Sequence, residues 1–287
     1  MIFEENISLK EYTTFKVGGL AKFFYIAKTK ESLIEAIKKA LKKNLPIFIL
    51  GGGSNVLALD SGYDGLVIKI HHTKHIIQDT NVYAEAGLSL RKLIHDVNNE
   101  SLSGFEWAAG IPGTIGGAIY GNARAFGVNI SDIIKEVEVL DKESLEIKTL
   151  SKNQCQFSEK QSIFKKDKNL IILSVILELE KGNERKIKET IEENLKSRRE
   201  RQPLEYPSAG SIFINKEGAE PSSVLIDKAG LKGTKVNSAE ISQKHAGFII
   251  NTGNAGSADV LELIEIIKKE IKFKFGIELE TEIQIIK

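Results

Sequence analysis

The chain has 287 residues, room for two or three units with adequate cores, and its forty basic against thirty-nine acidic residues leave a formal charge of +1. That balance excludes an electrostatic case for nucleic acid or an anionic membrane as partner, and no apolar run approaches membrane-spanning length. MIFEENISLK lacks the pattern of a secretion signal, and Cys155 is the only cysteine, so intrachain disulfides and thiolate metal clusters are excluded and a cytoplasmic protein is expected.

In chain order, EYTTFKVGG reads as a turn feeding a strand over Phe23 to Ala27. Thr29 is placed to cap a helix in which Leu33, Ile34, Ile37 and Leu41 recur at helical spacing. Pro46 to Leu50 follows as a short strand, and the order strand, helix, strand predicts a crossover joining a parallel pair. Strands are expected at Leu66 to Ile70 and Asn81 to Gly87, then a helix capped by Ser89 with Leu90, Leu93, Ile94 and Val97 on one face. After a glycine-rich stretch come strands around Val137 to Leu140, Leu145 to Thr149 and Leu170 to Leu179. Gly182 breaks the pattern before a highly charged helix that ends at Pro203. The remainder alternates: a strand at Ile212 to Ile214, PSSVLIDKAG as helix, HAGFIINTG as strand, a helix from about Ser257 to Phe275, and a terminal strand at Ile277 to Ile286.

Two glycine clusters stand out. Six of the twenty residues from Ala108 to Gly127 are glycine, interleaved with Ile111, Ile115, Ile119 and Tyr120, so this backbone is expected to be buried, with little of it ordinary helix or strand. Backbone of that kind suits a flat or charged ligand that must approach the main chain, although a tight packing turn would look the same. The second cluster, Gly51-Gly52-Gly53-Ser54-Asn55, follows a strand where α/β folds bind phosphate, but it lacks both the Lys-Ser of a P-loop and the G-x-G-x-x-G spacing. A flexible turn is the alternative there. His71, His72 and His75 lie in a polar connection without a carboxylate pattern, so no metal site is expected, and Cys155 reads as a small buried hydrophobe beside Phe157.

Seven motifs in order carry a resemblance: TTFKVGG at Thr13, GGGSNVL at Gly51, AGIPGTIGGAIYGN at Ala109, PSAGSIF at Pro207, AGLKG at Ala229, KHAGFIINTGNA at Lys244 and LETEI at Leu279. Together they resemble the UDP-N-acetylenolpyruvoylglucosamine reductase family, flavoenzymes that complete UDP-N-acetylmuramate in bacterial cell-wall synthesis. The resemblance spans nearly the whole chain and, for want of room for the longer form's extra insertion, points to the shorter, type II form. It implies an α+β fold: a vanillyl-alcohol-oxidase-type two-part FAD-binding domain, 1–65 and 66–182, followed by a smaller α+β substrate-binding domain, 183–287, whose last strand returns to the active site.

The resemblance also implies FAD as cofactor, with NADPH and UDP-N-acetylglucosamine enolpyruvate as substrates of a monomeric enzyme. The flavin diphosphate would lie on Gly51, Gly52, Gly53, Ser54 and Asn55. The ring would lie along Gly110, Ile111, Pro112, Gly113, Thr114, Gly116, Gly117, Ala118, Gly121 and Asn122. Hydride addition to an alkene conjugated with a carboxylate builds an enolate-like dianion, which calls for a cation, a hydrogen-bonding acid and a proton donor. By the resemblance Ser211 is the proton donor and Glu282 the acid, while Arg198, Arg201 and Asn215 bind the substrate. Without the resemblance, Ser211 closes a turn and Glu282 is one of three solvated carboxylates on an edge strand.

One departure matters. The family's Tyr-Arg before x-Ser-x-x-Phe is replaced by Glu159 and Lys160 in CQFSEKQSIF, and a glycine of the NAGA stretch is Arg124. Lys160 keeps the charge without the bidentate fork, so Arg124 is expected to supply the guanidinium with Lys160 assisting. A surface arginine on a loop tip is the alternative. A flavoenzyme of the same fold with another substrate, or a flavin or nucleotide-sugar binding protein without turnover, stays open at this stage.

Overall fold

The computed structural model describes residues 1–215 and 218–287. The chain forms two compact units, each assembled from separated segments: unit 1 is 1–2, 25–52 and 68–198, and unit 2 is 3–24, 53–67 and 199–287.

Unit 1 is built on a five-stranded antiparallel sheet in the order Ile147–Ser151, Ile134–Asp141, Leu170–Glu178, Asn81–Glu85, His75–Gln78. Its inward residues, among them Val82, Ala84, Val137, Val139, Leu173, Val175 and Leu177, are buried. Helix α1 (Lys30–Lys42) starts at the expected cap: the Thr29 hydroxyl accepts from the Ser32 N–H, and the Ser32 hydroxyl faces the Thr29 N–H in return. Helix α2 (Leu90–Asn99) is capped by Ser89 as expected and buries Leu90, Leu93, Ile94 and Val97.

Unit 2 carries a four-stranded antiparallel sheet in the order Ser208–Ser211, Phe248–Asn251, Ala239–Ile241, Lys235–Val236. Its core runs from Phe15 and Leu57 through Ile212, Phe213, Ile226 and Ile249 to Val260, Leu263, Ile267 and Ile271. The last four lie at helical spacing on one face of a long helix, Ser257–Phe275, whose end is set by Gly276 in the left-handed region at φ 70°. Among the described residues no helix is long and apolar enough to cross a membrane.

Four expectations need correction. The strands Leu20–Ala27 and Ile47–Leu50 share a sheet but are not neighbours, because Tyr63–Ile70 lies between them. The glycine-rich stretch does contain a short helix, α3 (Ile115–Tyr120), since Thr114 caps it through the Gly117 N–H. The strand expected at Ile212 to Ile214 sits earlier, at Ser208–Ser211. The terminal strand is only Gln284–Ile286, paired in parallel with Val56–Ala58.

Two of the histidines have partners within the protein. His72 is buried with Nε2 at 3.0 Å from the Leu173 carbonyl, and His75 Nε2 lies 2.9 Å from Asp96. Cys155 is fully buried, and burial pushes its thiol up to about 11. It should therefore resist an aromatic disulfide reagent at about pH 8 and react stoichiometrically only after unfolding, since the thiolate is the nucleophile. Prompt reaction of the native protein would contradict that burial. Because the native value lies above the unfolded one, this thiol's contribution to stability is complete below the unfolded value near ~8.5 and is lost as pH rises through about 11.

Candidate active site

Within unit 1 the two glycine clusters meet. An added Cβ on Gly52 would stand 2.6 Å from Gly113 Cα, and one on Gly51 would stand 2.8 Å from the Thr114 hydroxyl. Only glycine permits that approach, so Gly51 and Gly52 pack directly on Gly113 and Thr114. The main-chain donors divide by role. Gly116 N–H donates to the Ala86 carbonyl, Ile115 N–H to Leu88 and Gly117 N–H to the Thr114 hydroxyl, so the start of α3 is occupied by its own chain.

Asn122 is buried with both ends of its amide engaged: Nδ2 donates to the Ser158 carbonyl at 2.8 Å and Oδ1 accepts from the Ser131 N–H at 3.3 Å. Ser162 donates to the Tyr120 carbonyl at 2.7 Å, and the Lys168 ammonium donates to the Tyr120 hydroxyl. These bonds hold the segment containing Glu159 and Lys160 against α3. Arg124, exposed, reaches Glu159 at 3.2 Å, and Lys160 stands next in the chain at φ 53°, its carbonyl accepting from Lys165 at 2.6 Å. The structure thus brings Arg124, Glu159 and Lys160 into one neighbourhood, with Glu159 as the present partner of Arg124. Helix α5 (Glu184–Arg201) brings Arg198 to the same stretch: its Cδ would be 3.0 Å from a Cβ added at Gly110. Burial holds the Arg198 guanidinium below its ordinary value.

In unit 2 the remaining motifs converge. The Thr14 hydroxyl donates to the Ser208 carbonyl at 2.7 Å while the Thr14 N–H donates to the Gly53 carbonyl at 3.0 Å. Asn251 donates its N–H to Pro207 at 2.9 Å and its side-chain amide to Phe15 at 3.2 Å. The strand Ser208–Ser211 pairs with Phe248–Asn251 through a register shift between Ser208 and Ser211. Gly210 sits there at φ 75°, a left-handed conformation that favours glycine, and such a bulge re-aims the next side chain, here Ser211. Residues 280–282 run alongside: Ile214 N–H donates to Glu280, Phe213 bridges Thr281, and Glu282 N–H donates to Ile212 at 2.8 Å. Asn55 closes the set, its Nδ2 donating to the Glu282 carbonyl at 3.3 Å and its own carbonyl accepting from the Gln284 N–H at 3.0 Å.

Ser211 and Glu282 are therefore on adjacent backbone segments, both half-buried, and the last residue of the GGGSN motif is tied to the second of them. Arg201 and Asn215 are exposed. Asn215 Oδ1 accepts from the Ser222 N–H and hydroxyl, both at 2.8 Å, at the start of α6 (Ser222–Lys228). Sequence reasoning passed over Thr14, Asn251 and Lys69 as individual residues. The first two lie inside motifs quoted for their glycines and apolar residues, and Lys69 is the one charge in the apolar run LVIKI.

Two glycine-rich segments packed this closely, with the GGGSN loop among them, suit a large planar cofactor bearing a diphosphate. The comparisons with known proteins agree. Residues 21–150 match a family model described as an FAD binding domain, and residues 202–286 match one described as the C-terminal domain of UDP-N-acetylenolpyruvoylglucosamine reductase. The chain is 44% identical over 282 residues to the UDP-N-acetylenolpyruvoylglucosamine reductase of Caldanaerobacter subterraneus, covering 98% of this chain and 92% of that protein. It is 42% identical to the Clostridium botulinum (strain Eklund 17B) protein of the same name, over 99% and 92% of the two chains. The crystal structure of UDP-N-acetylenolpyruvylglucosamine reductase (MurB) from Thermus caldophilus superposes with a TM-score of 0.84 at 32% identity, covering 99% of each chain. On these matches and this geometry, the chain belongs to the family of FAD-dependent UDP-N-acetylenolpyruvoylglucosamine reductases, the oxidoreductases of peptidoglycan precursor synthesis.

Proposed function

We propose that this chain reduces UDP-N-acetylglucosamine enolpyruvate to UDP-N-acetylmuramate with NADPH, as a monomeric cytoplasmic enzyme of the shorter, type II form. The observation that carries the reading is the hydrogen bond from the Glu282 N–H to the Ile212 carbonyl, because it sets a carboxyl group and the Ser211 hydroxyl on adjacent backbone segments. FAD bound here would supply the hydride chemistry that links NADPH to the terminal carbon of the enolpyruvyl double bond. Gly51 to Asn55 hold its diphosphate, and the Gly110 to Asn122 stretch carries its ring. Asn122 contributes by fixing that backbone, since its amide is spent on Ser158 and Ser131.

Ser211 gives its proton to the α-carbon, and Glu282 hydrogen-bonds the enolate-like oxygen. A serine hydroxyl is a competent donor only where water is excluded, because its own acidity is weak. Arg198, Arg201 and Asn215 bind the nucleotide-sugar, the arginines meeting its phosphates. In domain terms, 1–65 and 66–182 form the flavin-binding pair and 183–287 the substrate domain, a division supported by the two family models.

Arg124 and Lys160 take the substrate carboxylate in place of the family's arginine, and the carboxylate displaces Glu159 from Arg124. Arg124→Ala is then expected to raise the substrate KM about 10- to 100-fold, the range for loss of a charged hydrogen bond, with flavin reduction by NADPH unchanged. An unaltered KM removes Arg124 from the site. The function itself is tested by an anaerobic spectrum. NADPH should bleach the flavin band near ~450 nm, and the enolpyruvyl substrate should restore it. Bleaching without recovery favours a different substrate on this fold, which the Glu159-Lys160 departure would explain; no bleaching favours a binding protein.

A further inference from the structure

We propose that Lys69 is a positioning residue of the flavin-diphosphate loop: its ammonium, bonded to the Gly51 carbonyl, orients the Gly51–Gly52 peptide and sets a positive charge behind its N–H donor. This rests on the reading that Gly51 to Asn55 hold the diphosphate.

Lys69 lies on the strand Tyr63–Ile70, where Leu66, Val67 and Ile68 are fully buried and Ile70 nearly so. An ammonium in such a run is costly unless something uses it, and burial holds Lys69 below its ordinary value. Its Nζ donates to the Gly51 carbonyl at 3.1 Å. A trans peptide is planar, so a carbonyl drawn toward Lys69 sends the N–H of Gly52 to the opposite side. Gly52 is hemmed in on its side-chain side, where an added Cβ would stand 2.6 Å from Gly113 Cα. Lys69 therefore fixes the direction of one loop donor and adds a full charge to it. An anion arriving there finds a donor already aimed, and it stabilises the charged form of a lysine that burial disfavours.

The experiment uses protein stripped of FAD and titrated with FAD, following quenching of flavin fluorescence at low and high salt, for the wild type, K69M, K69R and G52A. K69M should bind FAD about 10- to 100-fold more weakly and with a shallower salt dependence, while K69R stays within a few-fold of wild type. A K69M loss with unchanged salt dependence means Lys69 only packs its strand, and overturns the proposal. Wild-type binding by K69M with weak binding by G52A overturns the lysine's role and leaves the loop reading intact. Wild-type binding by both overturns the loop reading, and this proposal with it. A second readout needs no methionine variant: at alkaline pH the wild type should take up protons as FAD binds and K69R should not. Equal proton uptake by the two overturns the proposal.

Discussion

Ser211→Ala is expected to lower turnover about 10²- to 10⁴-fold, the range for loss of a general acid, while NADPH still bleaches the flavin at the wild-type rate. The two half-reactions separate cleanly because Ser211 is required for the proton and not for the hydride. The effect should fall on kcat more than on KM, since the interaction is made as the α-carbon takes its proton. The bulge at Gly210 makes a control available. Gly210→Ala introduces a side chain where the backbone is at φ 75°, disturbing the aim of Ser211 while leaving its hydroxyl in place. A loss in both variants ties catalysis to the direction of the hydroxyl. Full turnover in Ser211→Ala would transfer the proton-donor role to another group.

Gly52→Ala should release FAD, with affinity falling at least about 100-fold, comparable with the loss of two charged hydrogen bonds. The physical cause is steric. The new Cβ would sit 2.6 Å from Gly113 Cα, 3.1 Å from Gly113 C and 3.3 Å from Thr114 N, all backbone atoms that no rotamer change can move. Either the GGGSN loop or the glycine-rich stretch must shift, and both carry the cofactor in this reading. The purified variant should be colourless, and titration with FAD should show the loss directly. A yellow variant with wild-type affinity would separate the glycine contact from cofactor binding.

Local rules recovered most of the elements. Helix α1 begins at Thr29 and α2 after Ser89 because a short side chain there can satisfy a free N–H, and that signal is complete within four residues. The misses share a different origin. That Tyr63–Ile70 would separate Leu20–Ala27 from Ile47–Leu50 depends on pairing partners far along the chain, and local pattern carries none of that information. The short helix α3 was hidden because glycines lower helix propensity, while its real support is the Thr114 cap and the backbone packing of Gly116 on Ala86. For the site, the motifs were legible as strings, and Ser211 and Glu282 could be picked out by resemblance. What joins them was not legible: the Asn55 amide on Glu282, the Thr14 hydroxyl on Ser208 and the Asn251 amide on Phe15 are tertiary bonds between residues 194 to 236 positions apart.

The parallel pairing of Gln284–Ile286 with Val56–Ala58 has a consequence for synthesis in the cell. The chain emerges from the ribosome in order, and the partner of Val56–Ala58 is among the last residues made. Unit 2 draws on 3–24, 53–67 and 199–287, so Val56–Ala58 waits for its strand partner while everything between is translated. At ordinary elongation rates of about 5–20 residues per second that wait lasts on the order of ten seconds or more. Val56, Leu57 and Ala58, all buried in the finished protein, can complete that pairing only once the end of the chain has been made.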